Sequence, residues 1–307
     1  MAIIGHIRHD PDRFTLNAMM KTHSSGWLNG AIGVLIFSGS LPATRLAVTG
    51  FDPTFLTTAR ATIAGLAALA LLLIFRVRRP AARDMMPLVW IALGVVVGFP
   101  LLTALALTHI TAARSVVFIG LLPLATAIFA VVRGGERPRP AFWLFAMLGS
   151  ACVASFAFLK HDGPSSLIGD LYMLAAVIVC GFGYAEGARL SRHLGGWQVI
   201  SWALVVCLPV MAIASALIAP ATWTQIPWQA WGGLAYVSLF SMLIGFFFWY
   251  RGLAQGGIAA VGQLQLLQPF MGLALAALLL REPVAWSMVV ATSAVVLCVA
   301  GTRRFAR

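Results

Sequence analysis

The sequence predicts an all-α polytopic membrane protein with ten transmembrane helices arranged as a 5+5 inverted repeat. Of its 307 residues, 61% are hydrophobic and only 10% are charged, which is more apolar surface than a soluble core of this size can hide from water. Apolar stretches of about 20 residues, the length that crosses a bilayer core, recur between short polar interruptions. One segment with the same order of landmarks occurs in both halves of the chain.

Hydropathy and turn residues divide the chain into ten predicted spans. They cover residues 27–48, 54–75, 87–107, 111–132, 141–159, 168–190, 197–218, 229–250, 258–280 and 284–302. Residues 1–26 carry charged side chains and no apolar stretch before a cleavage site, which is not the pattern of a cleaved signal peptide. We expect them to form a cytoplasmic segment, and residues 303–307 to form a basic cytoplasmic tail.

The net charge of +12 follows membrane topology and does not indicate a nucleic-acid partner. Arginines cluster before span one and in every second loop after it, whereas the alternate loops carry few cations. By the positive-inside rule, both termini face the cytoplasm. The expected location is therefore the inner (plasma) membrane, with the lipid bilayer as a partner of a multi-pass chain.

The duplicated segment consists of a polar turn, an apolar run broken by proline, and a glutamate where the run ends. Its landmarks are Leu107, Ala113, Leu121, Pro123, Ala130 and Glu136, which recur as Leu253, Ala259, Leu267, Pro269, Ala276 and Glu282. Because each copy has an odd number of spans, residues 27–159 and 170–302 are predicted to form two inverted halves. Such halves are typical of secondary transporters, whose substrate site lies between them near mid-membrane.

Motifs in the first two spans carry a family resemblance. The run from Phe37 to Arg45 reads aromatic, small, small, then a cation, and Arg60 lies in span two. With the paired prolines and glutamates of the duplicated segment, this order resembles the EamA-type family of the drug/metabolite transporter superfamily. The resemblance implies a ten-helix permease that moves small metabolites, often amino acids or related compounds, commonly outward. The chain departs from the usual motif at Phe37, where tryptophan is common, and at Pro42.

Arginines within predicted spans are the first candidates for the transport pathway, because a charge at the bilayer centre costs from about 2.5 kcal/mol upward. Arg45, Arg60 and Arg114 fall in the outer half of the membrane. An arginine that faces a cavity suits a substrate carboxylate through paired hydrogen bonds, which favours amino acids or related carboxylate-bearing compounds. The alternative is that each arginine snorkels to outer headgroups or bonds loop carbonyls.

Glu186 lies in the inner half of span six and has two interpretations. A carboxylate at this depth is able to exchange a proton as access alternates, which would couple transport to protons. It is equally placed to form an ion pair with Arg189, three residues further along the helix.

Polar residues beside Pro269 are candidates for the substrate cavity. Gln265 and Gln268 share a helix face, and the missing N–H of proline leaves the Gln265 carbonyl without its usual helical donor. These groups are predicted to line the cavity or to bond a neighbouring helix. Weaker pathway candidates, for which helix packing is the competing interpretation, are Ser40, Thr44, Thr103 and Tyr184.

Two further features are predicted to be structural. Glu136 and Glu282 each fall at a helix start, where a carboxylate meets the positive end of the helix dipole, so both are expected to cap helices. The aromatic run from Phe246 to Tyr250 is expected to belong to the interfacial belt in contact with lipid.

The sequence carries no pattern that predicts catalysis. Its His, Cys and Asp residues do not gather at metal-ligand or nucleophile–base spacing, so no catalytic residue, metal site or cofactor is predicted. The favoured function is a secondary transporter that exports a small-molecule substrate by alternating access. The alternative is import of a small nutrient or vitamin by the same fold, and the remote one is a membrane-embedded enzyme acting on lipid-linked substrates. The oligomeric state is left open.

Overall fold

The computed structural model describes residues 11–107, 109–110, 118–159, 166–280 and 286–306. Helix makes up 85% of the structure, and no strand occurs among the described residues. The predicted all-α class is therefore confirmed.

The described residues form a series of helices. In chain order they are α1 (Pro11–Ser38), α2 (Ser40–Ala47), α3 (Pro53–Ile74), α4 (Ala82–Ile91), α5 (Phe99–Leu107), α6 (Leu122–Val132), α7 (Pro140–Leu159), α8 (Leu167–Leu194), α9 (Gly196–Leu217), α10 (Trp228–Ala235), α11 (Gly245–Gly256), α12 (Ile258–Gly262), α13 (Gln268–Leu280) and α14 (Trp286–Phe305). A π-helical turn joins α4 to α5 (Ala92–Gly98), another joins α10 to α11 (Tyr236–Ile244), and a 3₁₀ segment joins α12 to α13 (Gln263–Leu267).

Local sequence signals set several helix ends. Asp52 caps α3, because its carboxylate accepts the N–H groups of Thr54 and Phe55 at 2.8 and 3.3 Å, and Pro53 fixes the first helical residue. Gly195 follows α8 with φ of 87°, and Gly257 follows α11 with φ of 94°. Only glycine adopts such angles at low cost, so both helices end sharply and the next one begins at once.

Six helical segments are long and apolar enough to cross a membrane, among the residues that the structure describes. They cover Ser25–Thr44, Pro53–Ile74, Ala82–Thr103, Leu167–Leu194, Gly196–Leu217 and Trp228–Gly256, and shorter apolar helices cover Leu122–Val132 and Pro140–Ser155. Large apolar side chains on these helices point outward, as lipid-facing surfaces require. The chain is a multi-pass membrane protein, and the count of ten spans stays a prediction.

Charged residues collect at one end of the helix bundle. Glu136 forms an ion pair with Arg192 at 3.4 Å, and Asp84 lies 3.2 Å from His193. The guanidinium of Arg303 stacks over the ring of Trp27 in α1. These contacts join helix ends from both halves of the chain. We call this the arginine-rich end; its arginines are Arg76, Arg78, Arg79, Arg83, Arg133, Arg137, Arg139, Arg189, Arg192, Arg251, Arg303 and Arg304.

The aromatic run of α11 lies in the core, so its assignment to the lipid-facing belt is wrong. Phe246 is 6% exposed, and Trp249 and Tyr250 are fully buried. The reason is that α11 packs against α1, α8 and α9, which cover the face that carries these three rings. The run therefore contributes to the interior of the bundle.

Candidate functional site

The middle of the bundle holds a group of polar and aromatic side chains from three elements. Tyr184 comes from α8, Trp249 and Tyr250 from α11, and Gln265 from the 3₁₀ segment. The rings of Tyr184 and Trp249 lie 5.6 Å apart between centroids, and the amide of Gln265 approaches the Tyr184 hydroxyl. We call these four residues the central cluster. Phe37 of α1 closes one side, with its ring 6.1 Å from that of Trp249.

The 3₁₀ segment places the glutamines. Pro269 lacks an N–H, and the chain before it tightens so that the Gln265 carbonyl accepts from the N–H of Gln268. The usual helical donor at position 269 is absent, as expected, and the tighter turn supplies a different one. Gln263 bonds the first half of the chain, since its Nε2 donates to the Pro123 carbonyl at 3.2 Å.

Several buried polar atoms near mid-bundle have no hydrogen-bond partner among the described residues. They include Nε1 of Trp249, which only donates, and Oε1 of Gln265, which only accepts. A buried polar group without a partner costs about 1–3 kcal/mol of stability. An arrangement that leaves a donor and an acceptor unpaired beside two aromatic rings is suited to a polar ligand with an apolar part.

The structure brings Tyr184 and Gln265 together. Gln268 is only partly buried. Ser40 lies about one turn after Phe37. Its hydroxyl donates to the hydroxyl of Ser241 at 2.7 Å, which is a hydrogen bond between two helices.

The remaining candidates lie on other helices. Arg60 on α3 and Thr103 on α5 are partly buried, and Nε of the former and Oγ1 of the latter have no partner among the described residues. Thr44 lies on α2 and is also partly buried. Arg45 belongs to the same helix, but its side chain falls outside the described part of the structure, as does the whole of Arg114.

At the arginine-rich end, Glu186 is the buried centre of an ion-pair network. Its side chain is fully buried, and its two oxygens accept from Nη2 of Arg189 at 2.8 Å and from Nε of Arg133. The predicted pair with Arg189 is confirmed. The sequence did not predict Arg133 as a partner, because it directly follows α6 in the other half of the chain and only tertiary packing brings it to α8.

Glu136 caps a helix, but not the one that follows it in sequence. Its carboxylate accepts the N–H groups of Ile258 and Ala259, which begin α12, at 2.7 and 2.9 Å. The prediction of a cap at its own helix start is wrong, since α7 begins only at Pro140 and the turn at Gly257 presents the first N–H groups of α12 to the loop. The repeat partner, Glu282, lies outside the described residues.

These contacts tie the two halves of the chain together at one end of the bundle. Arg133 and Glu136 come from the first half, while Glu186, Ile258 and Ala259 come from the second. The central cluster thus lies in the bundle interior, and its neighbouring helices are joined by charged contacts at the arginine-rich end.

Long apolar helices around a buried polar cluster, with charges confined largely to the helix ends, define a polytopic membrane protein of the transporter class. The sequence model of the EamA-like transporter family matches residues 24–157 and 167–304, and the chain belongs to this family.

Individual proteins agree with the assignment. The chain is 65% identical over 288 residues to the "Uncharacterized transporter YdeK" of Bacillus subtilis (strain 168), across 94% of this chain and 100% of that protein. It is 22% identical over 175 residues to the "Uncharacterized transporter YyaM" of the same strain, across 55% of this chain and 57% of that protein. A solved structure, titled "Crystal structure of protein", shares the fold with a TM-score of 0.78 at 21% identity, across 91% of this chain and 98% of that one.

Proposed function

We propose that the protein exports amino acids or related carboxylate-bearing metabolites, and that the central cluster binds them. The observation that carries this proposal is the unpaired donor of Trp249 and the unpaired acceptor of Gln265 in the bundle interior. An α-amino acid offers the complementary pair, a carboxylate that accepts and an ammonium that donates. The rings of Tyr184 and Trp249 would contact the remainder of the substrate.

Arg60 is proposed as a second contact for the substrate carboxylate. Its Nε is buried without a partner among the described residues, on a helix that packs against α9 and against the turn before α11. A guanidinium binds a carboxylate through two parallel hydrogen bonds, which a hydroxyl or an amide cannot provide. The same proposal assigns Arg45, Ser40, Thr44, Thr103 and Gln268 to the pathway.

The proposed architecture is two inverted five-helix halves, residues 27–159 and 170–302, with both termini in the cytoplasm and the chain in the inner (plasma) membrane. The arginine-rich end is then cytoplasmic by the positive-inside rule. The contacts of Glu186 with Arg133, and of Glu136 with the start of α12, join the two halves at this end. Alternating access would require these contacts to break when the cytoplasmic side opens.

Glu186 is also the proposed site of proton coupling. Its carboxylate carries the negative charge shared by Arg133 and Arg189. A proton taken up there would cancel that charge and weaken both pairs at once, which links proton movement to opening of this end. Replacement of Glu186 by Gln tests the link, because transport that keeps its full dependence on a pH gradient would remove this residue as the proton site.

Purified protein in liposomes tests the proposed function. Vesicles loaded with an unlabelled amino acid should accumulate the labelled one by exchange, and Trp249→Phe should reduce this exchange about tenfold, since a hydrogen bond to a charged group contributes about 1.5–3 kcal/mol. Trp228→Phe is the matched control, because Trp228 is 77% exposed at the start of α10. Absence of exchange across a panel of amino acids and related acids would contradict the substrate class, and equal losses in both variants would contradict the site.

A further inference from the structure

We propose that the arginine-rich end carries a binding site for the phosphate headgroup of an anionic phospholipid. The site is a pocket of about 510 Å³ between the loop that follows α3 and the junction of α8 with α9. This site is separate from the central cluster and takes no part in binding the transported substrate.

Three arginines give the pocket its charge. Arg78, Arg79 and Arg83 line it, and all three are exposed. Arginine is suited to phosphate, because its planar guanidinium offers parallel N–H donors to two phosphate oxygens. Phosphate groups are therefore the ligands that this wall of the pocket recognises best.

The carboxylate that lines the pocket already has a hydrogen-bonding partner. Asp84 is 6% exposed and lies 3.2 Å from Nε2 of His193, with Nε of Arg83 at 4.0 Å. Arg78 and Arg79 have no acidic partner among the described residues. The pocket thus presents uncompensated positive charge to a ligand, while its only lining carboxylate is held by a neighbouring side chain.

The surface next to the pocket favours a lipid over a free anion. Phe75 and Trp197 line the pocket and meet edge to face, with ring centroids 5.7 Å apart, as in the aromatic belts of membrane interfaces. Directly before Phe75 on α3, Leu73 and Ile74 are 68% and 71% exposed. A phosphate in the pocket therefore lies beside an apolar strip that acyl chains are able to cover.

Basic pockets between helices at a membrane surface are typical sites for anionic headgroups, and each arginine near such a surface strengthens binding roughly fivefold. Arg78 and Arg79, which are both exposed, then together strengthen the binding of an anionic headgroup about 25-fold. Neither residue contacts the central cluster in the described structure, so their replacement is expected to leave the fold and the substrate site intact.

Native mass spectrometry of the purified protein tests the site. The protein is titrated with dioleoylphosphatidylglycerol, with dioleoylphosphatidylcholine and with inorganic phosphate, and the bound ligand is counted. We expect one phosphatidylglycerol to bind preferentially, and the double variant Arg78→Gln/Arg79→Gln to bind it about 25-fold more weakly. The matched control is Arg137→Gln/Arg139→Gln, which removes the same charge from the same end of the bundle but outside the pocket.

Each outcome decides the proposal. A loss confined to the Arg78/Arg79 variant, with an unchanged melting temperature, supports it. An equal loss in the control variant would mean that only general surface charge attracts the lipid, and the site would be rejected. Inorganic phosphate that binds in the pocket as tightly as phosphatidylglycerol would also overturn it, since the apolar strip would then contribute nothing.

Discussion

The buried carboxylates of the arginine-rich end are fully paired, whereas the central cluster contains buried polar atoms without partners in the described part of the chain. At the end of the bundle, the fully buried Glu186 has both carboxylate oxygens bonded, and Glu136 accepts two backbone N–H groups. In the middle, Trp249 and Gln265 each hold a buried polar atom with no partner among the described residues. The two regions are built from the same helices, since α8 carries Glu186 and Tyr184 two residues apart.

The proposed function assigns different roles to the two regions: the arginine-rich end holds the two halves together, and the central cluster binds the substrate. Satisfied charges between two halves fix their relative position, because separating them would expose or strand a buried carboxylate. Unsatisfied atoms stabilise nothing in the folded protein, and in the proposed function they gain hydrogen bonds from the substrate. The following predictions separate the two roles, beginning with the largest effect on stability.

Glu186→Gln should lower the free energy of unfolding by about 2 kcal/mol. Removal of one partner from a buried ion pair costs about 3–5 kcal/mol, and the value here lies below that range because Arg133 and Arg189 keep access to water. Thermal unfolding in detergent measures the change. Arg133→Gln and Arg189→Gln form a matched pair, since only Arg133 joins the two halves. If both arginine variants lower the free energy of unfolding equally, the contact between the two halves is not what stabilises the arginine-rich end.

Glu136→Gln should cost about 1 kcal/mol, the usual contribution of a helix N-cap. The amide keeps one oxygen for the N–H groups of Ile258 and Ala259 but loses the second acceptor and the negative charge at the helix start. The melting temperature reports the loss. Arg192→Gln serves as the control, because it removes only a half-exposed pair at 3.4 Å and should cost less than about 0.5 kcal/mol. A control variant that costs as much as the cap variant would contradict the capping role.

Ser40→Ala and Ser241→Ala should each have the smallest effect, about 0.5 kcal/mol, because they break one neutral hydrogen bond of 2.7 Å between helices. A double-mutant cycle on unfolding isolates the pair. A coupling energy near zero would show that the two hydroxyls do not depend on each other and would contradict the hydrogen bond between them.

The all-α membrane class and the family were predictable from the sequence, because composition, span length and duplicated landmarks are properties of the chain itself. The pair of Glu186 with Arg189 was predictable for the same reason, since helix geometry places residues three apart side by side. The partner of Glu186 in the other half was not, because Arg133 lies 53 positions away and helix packing alone brings the two together.

Two errors have a common physical cause. The aromatic run of α11 falls near a predicted span end, which suggested an interfacial belt, but neighbouring helices bury Trp249 and Tyr250. Glu136 precedes a helix in sequence, yet its carboxylate reaches N–H groups 122 and 123 positions further on. Sequence position gives the depth of a residue in the membrane, whereas the identity of its neighbours depends on how the helices pack.

The central claim is that the unpaired polar atoms of the central cluster serve the substrate and not the fold. Gln265→Leu tests it most directly, because leucine keeps a side chain of similar size and removes the buried acceptor. Exchange of a labelled amino acid by reconstituted protein should fall at least tenfold, roughly the contribution of one hydrogen bond to an ammonium group. The melting temperature should change little, since the unpaired buried oxygen disappears together with the amide contact to the Tyr184 hydroxyl. A variant that unfolds at lower temperature while its remaining folded protein exchanges substrate at the original rate would contradict the account.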